Sequence, residues 1–233
     1  MNAQARIVVI AGFDPTGRAG LLADVATAAH WNVQCAGVAT CLTAQGGAAY
    51  LRQVTATSML TAALDGIAKT GPVHGIKVGA LANRAQFDST VRWAQGFHVP
   101  KVIDPVVATS RGERLSTLRA NDFARARGFV LTPNTQEFED AGLAPEEWLS
   151  AGVAALVVKG GASAKDRLWS KEGHRTYRGR FIASAARGTG CRFATALCVA
   201  LVQGLTLDTS VRRARYFVRE HLRSYNATLK RST

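Results

Sequence analysis

The sequence predicts an α/β protein in which a mostly parallel sheet is covered by helices on both faces. Short apolar runs of strand length alternate six times with longer segments of helical pattern that are rich in alanine and leucine. Such alternation is typical of parallel strands joined by crossover helices. Hydrophobic residues make up 47% and charged residues 19% of the 233 residues. A chain of this composition buries a substantial core, which excludes a disordered protein.

The elements can be placed along the chain from these patterns. The strand-like runs lie at 7–11, 34–40, 75–78, 102–104, 129–131 and 155–158. The helical patterns lie near 19–30, 55–69, 84–95, 119–127, 135–141, 191–203 and 208–228. Residues 166–182 differ, because charged alternation surrounds the turn Lys171-Glu172-Gly173, and this predicts an edge hairpin. No linker rich in proline, glycine or serine divides the chain, so we expect one domain over residues 1–233.

Composition also excludes several classes of protein. No apolar run reaches the ~18 residues of a membrane span, and the first residues lack the layout of a signal peptide. The four cysteines form no Cys-x-x-Cys pair and have no histidine at metal-ligand spacing, which argues against a disulfide framework or a zinc site. We therefore expect reduced thiols, a cytoplasmic location and no membrane partner.

Positive charge is concentrated in the last third of the chain. The formal net charge is +13; residues 165–233 hold 15 basic and 4 acidic side chains, whereas residues 1–164 hold 14 and 12. Such a region suits an anionic partner, either a phosphorylated small molecule or a nucleic acid. The alternative is a solvated, arginine-rich helix face. We favour it over nucleic-acid binding, because aromatic residues do not alternate with the arginines of 208–229 as single-strand binding requires.

Polar and glycine-rich segments fall where the predicted strands end. They lie at 12–20, 104–106, 132–137, 159–161 and 187–191. In an open α/β sheet, ligands bind beyond the carboxyl ends of the strands. Five such segments on one rim predict a binding site there.

The segment Gly188-Thr189-Gly190-Cys191 precedes a strongly apolar helix. Glycines allow close approach of the backbone to a ligand, and a helix start offers unpaired N–H groups and a positive dipole end. This combination suits the oxygens of a phosphate in transfer, although an ordinary glycine-rich turn is the alternative. Cys191 at the helix start is expected to have a lowered thiol pKa.

Two carboxylates and a lysine are predicted at the same rim. Asp104 ends a buried strand, Glu137 lies near a helix start, and Lys159 follows the apolar run 156–158. Two converging carboxylates near phosphate predict hydrated Mg²⁺. The alternative for Glu137 is a capping box with Asn134 as N-cap. Walker A and Rossmann fingerprints are both missing, so a nucleotide would be held in another way.

Taken in order, these segments resemble the ribokinase-like superfamily, and within it the hydroxymethylpyrimidine/phosphomethylpyrimidine kinases of thiamine biosynthesis. Cysteine after Gly-Thr-Gly is informative, because sugar-kinase relatives typically carry aspartate there. The segments that carry the resemblance are 11–24, Leu42-Thr43-Ala44-Gln45, Lys77-Val78-Gly79, Asp104-Pro105-Val106, Thr132-Pro133-Asn134 with Glu137, Lys159-Gly160-Gly161 and Gly188-Thr189-Gly190-Cys191. The sequence departs from the family pattern at Arg192-Phe193-Ala194, where relatives have a Thr-Leu-Ser type run.

The resemblance implies a three-layer α/β/α sandwich and a homodimer. It also implies ATP- and Mg²⁺-dependent transfer to the hydroxymethyl oxygen of a pyrimidine and to the resulting monophosphate. A pyridoxal-type vitamin kinase and a weakly catalytic sensor of a thiamine precursor are the alternatives.

The resemblance assigns roles to individual residues. Cys191 would receive the hydroxyl proton, Gly188, Thr189 and Gly190 would form the anion hole, and Lys159 would neutralise the transferring phosphate. Asp104 and Glu137 would hold Mg²⁺ through water. The implied pyrimidine site consists of Gly12, Asp14, Asp24, Gln45 and Ala80, and the implied nucleotide site of Lys159, Asn134 and Thr189.

Overall fold

Nine strands form one mixed sheet in the computed structural model, which describes residues 4–44, 50–109 and 111–231. The strands are β1 (Arg6–Phe13), β2 (Gln34–Ala44), β3 (Leu51–Val54), β4 (Gly75–Val78), β5 (Lys101–Ile103), β6 (Val130–Leu131), β7 (Ala155–Val158), β8 (Lys165–Ser170) and β9 (Gly173–Arg178). Their spatial order is β3-β2-β1-β4-β5-β6-β7-β8-β9. The six strands from β2 to β7 in this order run parallel, and the strands outside them pair antiparallel.

Helices cover both faces of this sheet. They are α1 (Gly20–Ala29), α2 (Thr57–Lys69), α3 (Arg84–Gln95), α4 (Thr135–Ala141), α5 (Pro145–Ser150), α6 (Thr189–Val202) and α7 (Leu207–Arg231). Alternate residues of β1 divide between two cores: Val8 and Ile10 pack with the α2–α5 side, and Ile7 and Val9 with α1, α6 and α7. Strands buried on both faces explain the continuous apolar runs in the sequence. The predicted α/β fold with a mostly parallel sheet is confirmed.

Some elements differ from the sequence prediction. The short strand β3 was not expected, because its four residues are partly or largely exposed and lack an apolar pattern. The helix predicted at 119–127 is a 3₁₀ helix over Ala120–Arg125, which begins where the Asp122 carboxylate accepts from the N–H of Arg119. The short helix α5 was also missed. Within the described ranges, no helix combines the length and apolarity that crossing a bilayer requires.

Candidate active site

The start of α6 depends on a glycine with left-handed backbone geometry. Gly188, the residue before α6, has φ +71°, a conformation that residues with side chains rarely adopt. A Cβ at this position would lie 2.2 Å from the carbonyl oxygen of Arg18, in the loop after β1. Glycine therefore allows the two loops to touch. The N–H groups of the first turn of α6 have no partner within the helix and suit an anion.

Lys159 and Asp104 form an ion pair beside this helix start, which we call the junction pair. Lys159 follows β7 and Asp104 follows β5, and the Lys159 Nζ lies 2.5 Å from the Asp104 Oδ1. Burial disfavours the ammonium, but Asp104 and Glu137 more than offset this, so the pKa of Lys159 is raised. A Cβ on Gly190 would lie 3.1 Å from the Lys159 Nζ and 3.2 Å from the Asp104 Oδ2. The junction pair thus sits against the glycine turn of α6.

Glu137 has the capping role that the sequence left open. Its Oε2 accepts from the backbone N–H of Asn134 at 2.8 Å, and the Asn134 Oδ1 accepts from the N–H of Glu137 at 2.8 Å. Burial, with a contribution from the charge of Asp104, raises the pKa of Glu137 to about 7, although Lys159 lowers it. The capping box therefore fixes, at the rim of the sheet, a carboxyl group whose charged form is disfavoured.

The arrangement of Asp104 and Glu137 fits a hydrated magnesium ion. Both carboxylates line the same cavity, and the charge of Asp104 helps to raise the pKa of Glu137, so a cation between them would relieve their repulsion. Among the described residues, no group of three or more histidine, cysteine, aspartate or glutamate side chains is placed to hold a metal ion. Water and phosphate oxygens would have to complete the coordination, as is usual for Mg²⁺.

Two cavities meet at this point. The smaller cavity, of about 230 Å³, lies among the ends of the central strands, the loop after β1 and the start of α6. The larger cavity, of about 410 Å³, lies between the β8–β9 hairpin, residues 180–186 and the helices α6 and α7. The residues that line both are Asn134, Lys159, Thr189 and Gly190.

The smaller cavity contains several residues predicted to bind the pyrimidine. Gly12, Asp14 and Ala80 line it, and so does Cys191. Asp14 is 2% exposed; its Oδ1 accepts from the N–H and the hydroxyl of Thr16. Its Oδ2 has no hydrogen-bond partner among the described residues. Asp14 therefore carries an unsatisfied acceptor atom, buried in the wall of the cavity. Gln45 lies outside the described residues.

Asp24 does not reach the cavity. It is fully buried in α1, where its Oδ2 lies 2.6 Å from the Nζ of Lys77 and its Oδ1 accepts from the Thr195 hydroxyl at 2.8 Å. We call Asp24 and Lys77 the buried pair. Burial opposes the charge on Lys77, but the Asp24 carboxylate holds the pKa of Lys77 above its ordinary value. The expectation that Asp24 contacts substrate is therefore corrected: its contacts are with Lys77 and α6.

Lys77 has no predicted role beyond its place in the motif Lys77-Val78-Gly79. A Cβ on Gly79 would lie 3.0 Å from the Lys77 Nζ, and Gly79 lines the smaller cavity. The ammonium group is therefore directly beneath the floor of that cavity. A lysine in the middle of an apolar parallel strand was the available signal, because buried charges in proteins are paired.

The expected lowering of the Cys191 pKa is wrong. Burial raises the pKa of the Cys191 thiol to about 11, and Lys77 offsets this only in part. The start of a helix favours a thiolate, but here the loss of hydration outweighs that effect. Cys191 is therefore a neutral thiol near pH 7. Cys198, about two turns further along α6, is fully buried in the core as expected.

Sequence comparison relates nearly the whole chain to one family. A family model described as phosphomethylpyrimidine kinase matches residues 14–232. A hydroxymethylpyrimidine/phosphomethylpyrimidine kinase of Staphylococcus aureus is 31% identical over an alignment of 237 positions, which covers 91% of this chain and 85% of the relative.

Structural comparison supports the same fold. A phosphomethylpyrimidine kinase from Clostridium difficile superposes with a TM-score of 0.79 at 21% identity, covering 94% of this chain and 99% of the other. A pyridoxal kinase from Staphylococcus aureus, in complex with pyridoxal, superposes with a TM-score of 0.82 at 20% identity, covering 95% and 88%. At these identities the likeness establishes the fold alone, whereas the family match rests on the sequence. The chain belongs to the phosphomethylpyrimidine kinase family.

Proposed function

We propose that this chain transfers the terminal phosphoryl group of ATP to hydroxymethylpyrimidine, to its monophosphate, or to both. Membership of a kinase family supports phosphoryl transfer. The observation that carries the proposal is the meeting of two cavities at Asn134, Lys159, Thr189 and Gly190. A kinase must hold two substrates with the transferring group between them, and this geometry provides two compartments with one junction.

The volumes and linings of the two cavities support a separate site for each substrate. The smaller, about 230 Å³, fits a single ring with short substituents; we call it the acceptor cavity. The larger, about 410 Å³, fits a nucleotide, and it is bordered by Arg180, Arg215 and Arg219; we call it the donor cavity. The cationic border suits the phosphates of ATP. Part of the excess positive charge of the C-terminal third thus surrounds the donor cavity.

Charge stabilisation in the transfer comes from the junction of the cavities. Phosphoryl transfer needs positioning and neutralisation of charge more than covalent chemistry. The N–H groups at Thr189 and Gly190 would bind the oxygens of the moving group, and Lys159 would shift from Asp104 toward them. Asp104 and Glu137 would hold Mg²⁺, which when bound neutralises phosphate charge.

The acceptor hydroxyl loses its proton as its oxygen bonds to phosphorus and the bond to ADP breaks. Cys191 lines the acceptor cavity and would take this proton in its thiolate form. Because the thiol pKa is about 11, the thiolate is a minor species near pH 7, and its population rises tenfold with each pH unit. The buried ammonium of Lys77 stabilises that form.

A transfer assay with labelled ATP tests the proposal. Hydroxymethylpyrimidine, its monophosphate and pyridoxal are offered separately, with and without Mg²⁺. Label in one or both pyrimidine products, lost without Mg²⁺ and in Lys159→Met, supports the proposal. Transfer to pyridoxal alone refutes it in favour of a pyridoxal kinase. Pyrimidine binding by calorimetry with transfer at background level refutes it in favour of a sensor.

We also propose that the kinase acts as a homodimer in the cytoplasm. The family resemblance supports the dimer, and the four free cysteines suit a reducing compartment. Analytical ultracentrifugation of the purified chain, with a monomer mass as the contradicting result, tests the oligomeric state.

A further inference from the structure

Arg192 contacts both loops that enclose the acceptor cavity. It is the residue after Cys191 in α6. Its Nη1 donates to the carbonyl oxygen of Arg18 at 2.8 Å, and it also lies 3.3 Å from the carbonyl oxygen of Arg187 and 3.5 Å from that of Gly188. One guanidinium nitrogen therefore joins the loop after β1 to the loop before α6.

Both of the joined loops contribute to the lining of the site. Ala19 and Gly20, from the first loop, line the acceptor cavity, and so do residues 187–190, from the second. The loops touch where Gly188 meets the Arg18 carbonyl, with room for no side chain between them. A change in their separation would therefore move the anion hole relative to the acceptor.

The chemistry of Arg192 suits this contact. An arginine stays charged and offers several donors from a planar group, so it can satisfy carbonyls from two segments at once. A hydrogen bond from a charged donor is stronger than one from a neutral donor. The side chain is half-buried, and loss of the group would leave the Arg18 carbonyl without this partner.

We propose that Arg192 is a positioning residue that clamps the loop after β1 against the anion-hole loop, so that the acceptor hydroxyl and the transferring phosphoryl group are held in line. This inference rests on the proposed function. It goes beyond the family resemblance, because Arg192 stands within the segment where this sequence departs from the family pattern.

Kinetics of Arg192→Ala and Arg192→Lys test the clamp, with Arg18→Ala as the matched control. Arg18 lends only its backbone carbonyl to the contact, so its exposed side chain is dispensable. We expect Arg192→Ala to lower kcat by about 10–100-fold, the effect of misplacing reacting groups by about 1 Å. Arg192→Lys keeps the charge but not the planar group, and should fall between Arg192→Ala and wild type. If the kcat of Arg192→Ala equals that of Arg18→Ala, the proposal is overturned.

Chemical rescue separates positioning from a general loss of structure. Arg192 also lines an outer cavity of about 680 Å³ between α1 and α7, through which a small cation can reach the vacated position. Methylguanidine should restore kcat in Arg192→Ala by at least severalfold, and should leave Cys191→Ala unchanged. If methylguanidine changes kcat equally in Arg192→Ala and Cys191→Ala, the clamp is contradicted.

Hydrogen exchange gives a reading that does not depend on activity. Amides of residues 16–20 and 187–191 should exchange faster in Arg192→Ala than in wild type, while the strands of the sheet keep their protection. Unchanged exchange in both loops overturns the clamp. If wild type shows no transfer but the loops loosen selectively, the proposed function fails, and of the clamp only the restraint on the two loops stands. Arg192→Lys serves for the same measurement if Arg192→Ala does not fold.

Discussion

Replacing Gly188 by alanine tests whether the contact between the two loops sets the geometry of catalysis. Two effects are expected. Alanine at φ +71° costs about 1–2 kcal/mol of stability, because the left-handed conformation brings Cβ against the following carbonyl. In addition, the new Cβ would lie 2.2 Å from the Arg18 carbonyl oxygen. That oxygen must retreat by about 1 Å to reach an ordinary carbon–oxygen contact of roughly 3.3 Å.

The second effect falls on catalysis. A displacement of about 1 Å among positioned groups can cost about 10²-fold in rate, which is about 2.7 kcal/mol in the activation free energy. Gly204 provides the matched control, because it also has a positive φ, +81°, but a Cβ there would meet nothing within 4 Å. Gly204→Ala therefore carries the backbone strain without the collision.

Urea unfolding and steady-state release of ADP distinguish the two effects. Both variants should lose about 1–2 kcal/mol in the free energy of unfolding. Only Gly188→Ala should also lose about 10²-fold in kcat. If Gly188→Ala has a kcat within threefold of Gly204→Ala, the start of α6 does not position the reacting groups, and the proposed anion hole is refuted.

Four further substitutions examine the rest of the site. Gly190→Ala should unfold at nearly the same urea concentration as wild type yet lose about 10²-fold in kcat, because its Cβ would lie 3.1 Å from the Lys159 Nζ and 3.2 Å from the Asp104 Oδ2. The control is Gly66→Ala, also in a helix, where a Cβ would have nothing within 4 Å; it should keep full activity. Lys77→Met should lower the free energy of unfolding by about 3–5 kcal/mol, because it leaves the partner carboxylate buried and unpaired; a loss under 1 kcal/mol in urea unfolding contradicts the buried pair. The pKa of Glu137 is raised to about 7, so its carboxylate forms only as pH rises through 7. In wild type, kcat/KM for Mg²⁺–ATP should therefore fall as pH drops below 7, whereas in Glu137→Gln it should stay flat. Cys191→Ala should lower kcat by about 10²–10⁴-fold and abolish the rise of kcat between pH 7.5 and 9.5 that a thiol pKa of about 11 predicts; an unchanged pH profile removes Cys191 as the proton acceptor.

The parts of the fold that sequence predicted well are those with a single strong local signal. Strands β4 and β7 match their predicted ranges residue for residue. β7 is a continuous apolar run, and β4 is a short apolar stretch between glycines that only Lys77 interrupts; such segments have few other interpretations. The edge strand β3 carries no such signal, since half of its pairing groups face no neighbouring strand and its side chains are mostly exposed. Its existence depends on the pairing of Thr43 with Arg52 and of their neighbours, which is information about two segments together.

The site follows the same division. Its rim could be predicted, because glycine-rich and polar segments after strands share one edge of a parallel sheet. The partners of its charged groups could not. Lys159 was expected to face a ligand anion, yet the structure gives it Asp104, 55 residues earlier. Lys77 and Asp24 are 53 residues apart in the sequence. They meet because β4, which carries Lys77, pairs with β1, and α1, which carries Asp24, follows β1 in the chain.

The ionisation of Cys191 shows why local sequence was insufficient for the chemistry. Its position at a helix start predicts a lowered thiol pKa, and that reasoning is correct for an exposed helix. Desolvation acts in the opposite direction, and here it outweighs both the Lys77 ammonium and a backbone hydrogen bond from Gly20, which lower the pKa. The contact between Gly188 and the Arg18 carbonyl holds the loop that leads to Gly20 against the start of α6. If opening the loops lets water reach Cys191, the thiol pKa should fall, because burial is what raises it. The alkaline limb of the pH–rate profile should then move to lower pH while the transfer slows, and these two changes should appear together in Gly188→Ala and Arg192→Lys.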